Sequence, residues 1–277
     1  MDIARSLAPE IDRLVISVYL TTRERHGLDV WDRAQAVGLD SIFLLNDVAE
    51  FLLAGCLTEE WAMRRFRYMD TADVMGGLDS LRTGGQIILA DDGYRAVPRL
   101  AEFLEWLLAS RAESAAHQWS NVTSDVEELE RLIAPVLAAL TPEEFPLAAG
   151  HQLLPDPAEP ELRLHQHLTT LRFVRADAHG YAWAAPGLTA GDAVALNALW
   201  RGGALPPNAS ATGLAAGGRA AADPWRITEA GVILRDVIEV ETDRLNNAAF
   251  EILDQAAAAR LVELLRRLPG EVPVATG

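Results

Sequence analysis

The residue types best suited to chemistry gather in one stretch, Leu164 to Trp183, where His165, His167 and His179 accompany Arg172, Arg175 and Asp177. Wound as a helix at about 100° per residue, His165, Leu168, Thr169, Arg172, Arg175, His179 and Trp183 share one face, and Leu164, Leu171, Val174, Ala178 and Ala182 the opposite one. Guanidinium forks bind carboxylate or phosphate oxygens, and an imidazole titrates near neutrality. Such a stripe suits an anionic ligand that exchanges a proton with the protein. His179 and Asp177 are therefore the candidate catalytic residues, and Arg172, Arg175, His165 and Trp183 the candidate substrate-binding residues. The competing expectation is a solvated helix face whose arginines pair with some of the 40 acidic residues of the chain. No metal site is expected. His165 and His179 would lie about 21 Å apart along a helix, too far to share one ion, and His165 and His167 splay to different faces.

The rest of the composition narrows the chemistry further. The chain has 277 residues and a net charge of −16, and all 24 of its basic side chains are arginines. Without lysine there is no P-loop and no imine-forming amine, and no dinucleotide fingerprint is present, so no cofactor is expected. A single cysteine, Cys56, lies in an apolar run and reads as core packing, which excludes an internal disulfide and a cysteine-based zinc site. The N-terminal residues lack a signal-peptide pattern, and no apolar run approaches the length of a membrane span, so a cytoplasmic protein is expected.

Helical periodicity dominates, and the expected fold class is mainly α. Leu7, Ile11, Leu14, Val15 and Val18 mark a first helix ending before Gly27. Thr58 caps a helix carrying Glu59 and Glu60 in its first turn, and Asp70 caps another that Thr83-Gly84-Gly85 stops. Gln86 to Ala90 and Tyr94 to Val97 flank Asp91-Asp92-Gly93 as a hairpin, and Pro98 opens a long helix toward Trp119. Helix, helix, hairpin, long helix is the order of a winged helix-turn-helix.

A weak internal repeat predicts two tandem copies. Leu81-Arg82-Thr83-Gly84-Gly85 recurs as Leu199-Trp200-Arg201-Gly202-Gly203, and Tyr94-Arg95 as Trp225-Arg226. A small-residue loop from Ala204 to Gly218 fills the second copy, where a wing is not evident. Val122 to Leu140 reads as an amphipathic helix, and the prolines from Pro142 to Pro160 punctuate a linker. The expected division is an N-terminal winged-helix-like domain, 1–145, and a C-terminal one, 146–277. The last helix, Ala257 to Leu268, either closes the core or joins a second copy as a homodimer.

Four segments of the second half carry a resemblance: Thr170 to His179, Gly187-Leu188-Thr189, Ile227 to Gly231, and Ile238 to Leu245. Over about residues 122–268 the chain resembles a poorly characterised actinobacterial helix-turn-helix family allied to MarR-type regulators. The family pattern of Arg, Arg, Asp and His on one helix matches Arg172, Arg175, Asp177 and His179. Its Thr-Asp-Arg-Leu segment matches Thr242 to Leu245. Between the two arginines the family usually has Glu-His, whereas this chain has Phe173-Val174. The resemblance implies a ligand-responsive transcriptional regulator.

The charges argue against reading DNA. The first candidate recognition segment, Asp73 to Arg82, holds two acids and one arginine, and the wing tip is Asp91-Asp92; both would repel phosphates. Arg64, Arg65 and Arg67 are the best basic cluster. The expectation is a winged-helix scaffold that binds or transforms a small anionic molecule, with specialised metabolism as its setting and DNA not among its partners.

Overall fold

The computed structural model describes residues 3–39, 45–90, 93–207 and 209–271, with the side chains of 45–47 left aside. Helix α1, Ile3–Ala36, buries Leu7, Ile11, Leu14, Val15 and Val18 and runs through Gly27, beyond the end expected from sequence. A mid-helix glycine costs only about 1 kcal/mol. Burial of Val30 and Ala34 beyond it keeps the helix going. It ends at Ala36, and two residues on a φ of 78° at Gly38 lets Leu39 N–H reach back to Ala34 O at 2.9 Å.

The first winged unit follows as α2 (Leu45–Ala54), α3 (Glu59–Arg65), α4 (Thr71–Thr83), β1 (Ile87–Ala90), β2 (Gly93–Ala96) and α5 (Pro98–Trp119). The caps behave as their residue types require: Thr58 accepts from Trp61 N–H and Asp70 from Ala72 N–H. The strands pair antiparallel with Ile87 opposite Ala96, and Leu57 adds a bridge to Tyr94, giving the wing a short third strand. Asp91 and Asp92 of the expected wing tip lie outside the described residues.

After α6 (Thr123–Ala138) and α7 (Pro146–His151) the pattern repeats as α8 (Pro160–Ala184), α9 (Ala190–Trp200), α10 (Thr212–Ala216), β3 (Ala220–Ala221), β4 (Arg226–Ile227) and α11 (Glu229–Asn247). The second wing is present, with Ala220 opposite Ile227. Its register corrects the sequence alignment. Gly84-Gly85 ends the third helix of its unit, whereas Gly202-Gly203 follows the second. The true counterpart is Gly217-Gly218. Gly85 and Gly218 have φ of 72° and 70°. The next residues donate back alike, Gln86 to Leu81 O at 2.9 Å and Arg219 to Leu214 O at 2.7 Å. Upstream, Gly55 and Gly187 both take a left-handed turn before Leu-Thr and a threonine-capped helix. The Tyr94-Arg95 and Trp225-Arg226 match holds, since Arg95 and Arg226 occupy equivalent places on the wings.

Helix α8 is the hub of the molecule. It packs against α1, α5, α6, α7 and α11. One main core runs from Leu7 through Trp119, Ile133 and Leu168 to Leu265, so a cut at 145/146 would divide it; a smaller core gathers Ala182, Leu196, Leu214 and Ile238 in the second winged unit. The last helix, α12 (Gln255–Arg267), turns Leu261, Leu264 and Leu265 into the main core against α1 and α6. The exposed apolar row lies elsewhere, on α11 at Ile233, Val237 and Val240. Among the described residues no helix is long and apolar enough to cross a membrane.

Candidate functional site

Because α8 is covered on several sides, its polar residues enter different surroundings along its length. His165 is buried against the Tyr19 ring, with centroids 5.2 Å apart, and its Nε2 has no hydrogen-bond partner among the described residues. Arg172 donates from Nε to Asp12 Oδ1 at 2.6 Å. Arg175 ties α8 to α11, reaching Asp243 Oδ1 at 2.6 Å and Glu239 Oε2 at 3.0 Å. The expectation that these arginines pair with acids is thus met. A solvated face is not what α8 presents.

Asp177 is 2% exposed and fully engaged. Its Oδ2 accepts from Leu147 N–H at 2.9 Å and Ala148 N–H at 3.1 Å, and its Oδ1 from Arg67 Nη2 at 3.1 Å. The carboxylate fastens the start of α7 and the segment after α3 to α8. Burial lifts its pKa above the ordinary carboxylate value, more than the two N–H groups and Arg67 lower it.

His179 and Trp183 do come together. They line an open cavity of about 510 Å³ between the two winged units, with Tyr68 from the α3–α4 connection, Asn197 and Arg201 from the end of α9, and Arg235 and Glu239 from α11. Trp183 donates from Nε1 to Tyr68 Oη at 3.0 Å. Burial raises the Tyr68 phenol above its ordinary pKa, so it stays protonated. The apolar wall is formed by Val194, Leu196 and Ile238, and the loop after α9 closes it with Ala204 and Pro206.

The hydrogen bonds around His179 fix its tautomer. Thr242 Oγ1 donates its one proton to Ile238 O at 2.7 Å, so at 3.1 Å from His179 Nδ1 it can only accept. Nδ1 therefore carries the ring proton and Nε2 the free lone pair, with no hydrogen bond to it among the described residues. Burial lowers the His179 pKa; Glu239 opposes this, and Arg175, Arg67 and Arg235 add to it. The neutral ring is the resting form at pH 7. It is an acceptor on a residue that lines the cavity.

The cations of the cavity differ in their engagement. Arg235 lies 3.7 Å over the Trp200 ring and 3.5 Å from both Asp236 and Glu239. Arg201, exposed at the end of α9, has no acidic partner among the described residues. Sequence reasoning missed Arg201, Arg235, Glu239 and Tyr68 as site residues. Arg201 had a signal, since it sits where the second copy takes up its extra loop. Nothing in the sequence distinguishes Tyr68.

The basic cluster proposed for DNA contact is spent internally: Arg64 binds Glu60 at 2.9 Å, Arg67 binds Asp177, and Arg65 lies 5.3 Å over the Phe173 ring. Among the described residues no group of three His, Cys, Asp or Glu side chains is placed to hold a metal ion. A helix-turn-helix family model matches residues 91–275. No curated protein and no solved structure matches the chain.

Proposed function

The chain belongs to this helix-turn-helix family, and on that premise we propose that its second winged unit holds a small organic anion in the His179 cavity rather than reading a DNA groove. The observation that carries the reading is the meeting, in one cavity, of Arg201, a guanidinium without an acidic partner among the described residues, and of the bare Nε2 of His179. Arg201 and Arg235 receive a carboxylate. Trp183 and Tyr68 cover the planar body of the ligand, and Nε2 accepts a proton from it, leaving an imidazolium beside Glu239. The ligand class is a carboxylate-bearing intermediate, with specialised metabolism as the proposed setting. His179 is the residue that touches the reacting atom, and Asp177 acts only by holding α7 and Arg67 in place.

The other reading is a ligand-responsive regulator of the MarR type. Against it, α4 presents Asp73 and Asp79 with Arg82 bound to Asp79 at 2.6 Å, and α10 is five residues long. Neither suits a recognition helix in the groove of a polyanion. A thermal-shift and calorimetric screen of small aromatic carboxylates tests the proposal with wild type, His179→Ala, Arg201→Gln and, as a control in another cavity, Arg172→Ala. Binding lost at least tenfold in the first two variants and kept in the third supports it. Equal binding in all four proteins overturns it, as does a tight, sequence-selective DNA shift at low salt without any carboxylate binding.

A further inference from the structure

Where α1, α2, α5, α7 and α8 come together, they leave a space of about 50 Å³ whose wall includes Tyr19, Glu50, His151, His165 and Phe173. About 10–15 Å³ of such space holds a first water molecule, so this one has room for one or a few. It is too small for the body of an organic ligand. Its two histidines, 6% and 4% exposed, are among the most buried polar side chains of the molecule, and both present an unanswered nitrogen. For His151 the tautomer follows from Thr170. The Thr170 hydroxyl donates its one proton to Gln166 O at 3.1 Å, so at 2.8 Å from His151 Nδ1 it accepts, and Nε2 keeps the lone pair with no hydrogen bond to it among the described residues. The Val15 backbone offers the His165 ring an acceptor, whereas its buried Nε2 has no partner among the described residues. The ring proton of His165 therefore lies on Nδ1, and its Nε2 too is a lone pair. Aromatic neighbours hold both rings, Tyr19 edge-on to His165 at 5.2 Å and Phe173 edge-on to His151 at 4.9 Å.

Two buried acceptors beside one small space call for a small donor, because an imidazole nitrogen taken out of water and left unpaired carries its full desolvation cost. Charge selects a neutral one. Arg111 takes up the Glu50 carboxylate at 2.5 Å, so the wall offers a cation no uncompensated acid, and an anion would face two lone pairs. Nor is a set of three metal-ligating side chains assembled among the described residues. We propose that this space is an internal water-binding site at the hub of the fold, in which bound water donates to Nε2 of His165 and to Nε2 of His151. One molecule reaches both nitrogens, or two do so in series. The water joins α7 to α8 at a point where no direct hydrogen bond links the two rings, and it satisfies each ring in its neutral form. It is distinct from any ligand of the His179 cavity, with which the space shares no residue.

The test uses the full chain at neutral pH. Oxygen-17 magnetic relaxation dispersion counts the water molecules that stay in the protein for longer than it takes to tumble. His165→Leu lowers that count by at least one, and His117→Leu, at an exposed histidine outside the space, leaves it unchanged. Two measurements on wild type stand even where His165→Leu fails to fold. Nitrogen-15 shifts of His151 and His165 place Nε2 of each among hydrogen-bonded acceptors, and xenon under pressure leaves the methyl signals of Leu108 and Leu162, which line the space, where they were. An equal count of long-lived waters in wild type and His165→Leu overturns the proposal. So does a bare lone-pair shift at Nε2 of His165, or xenon entering the wild-type space as it would a dry apolar one.

Discussion

Two histidines that the fold keeps neutral make acid the direction in which this protein loses stability. Burial, ahead of neighbouring positive groups, lowers His151 and His165 to about 3. His151 Nδ1 is 2.8 Å from Thr170 Oγ1, and His165 has Arg111 and Arg172 as the cations that oppose its protonation. In the unfolded chain an imidazole titrates near 6.5. Between the two values the unfolded state binds a proton that the folded state refuses. The contribution is therefore complete above pH 6.5 and falls as the pH drops toward 3. At about pH 5 the loss is about 2 kcal/mol for each residue and about 4 kcal/mol for the pair, relative to about pH 8.

His167 carries the opposite sign. Burial pulls it down, but Glu130 at 3.0 Å and Asp156 at 3.2 Å outweigh that and hold it above its ordinary value. Its contribution is present below pH 6.5 and is lost as the pH rises through the folded value. Comparison of wild type with His151→Leu/His165→Leu removes it, since both proteins keep His167. Urea denaturation at about pH 8 and about pH 5 should show wild type losing about 4 kcal/mol more than the double variant over that interval. Equal losses in the two proteins would refute the reasoning, whatever their stabilities at pH 8.

Three further outcomes follow from the geometry. Gly85→Ala and Gly218→Ala each place a methyl in open space but at a left-handed φ, so each lowers stability in chemical denaturation by about 1–2 kcal/mol; Gly231→Ala costs more, because its Cβ would meet Arg219 O at 2.1 Å. Asp177→Ala leaves Arg67 and two buried N–H groups without their acceptor and costs about 3–5 kcal/mol, read by the urea midpoint, while carboxylate binding per folded molecule is unchanged. Thr242→Val removes the acceptor that fixes His179; imidazole nitrogen NMR shifts should show one tautomer with bare Nε2 in wild type, persisting below pH 6.5, and a mixture in the variant.

The elements legible in the sequence were those decided locally. Thr58 and Asp70 start helices because their side chains take up N–H groups that any helix leaves free; Thr189 and Thr228 do the same, but were not singled out in the sequence as caps. The first wing was legible for a similar reason, a short strand-forming run on each side of an Asp-Gly pair. The second wing was not. Two residues per strand give no alternation to see. The register of the repeat is ambiguous in the sequence because Gly-Gly after a helix end occurs twice in the second copy. Only the number of helices before each pair tells them apart. The stripe on α8 was geometrically sound as a face, yet a face is a shared site only where one neighbour covers it. Here α1 and α5 meet the His165 end, α11 meets Arg175 and His179, and the segment after α3 meets Asp177 and Trp183.

The two copies differ most at the joint between their second and third helices, and that difference accounts for the cavity. In the first copy α3 and α4 are joined over residues 66–70 and α4 has 13 residues, the length of a helix that can lie in a groove. In the second the joint runs over residues 201–211 and the third helix has shrunk to five residues, little more than one turn. The chain taken from the helix reappears as wall: Arg201, Gly203, Ala204 and Pro206 of the long joint face His179 and Trp183 across the cavity. A shorter joint would draw the start of α10 toward the end of α9 and open that side to solvent. A longer α10 would consume the residues that close it. Under the proposed function, holding a ligand at His179 and presenting a recognition helix are demands on the same stretch of chain, and the proposal takes its small, proline-containing sequence to serve the first.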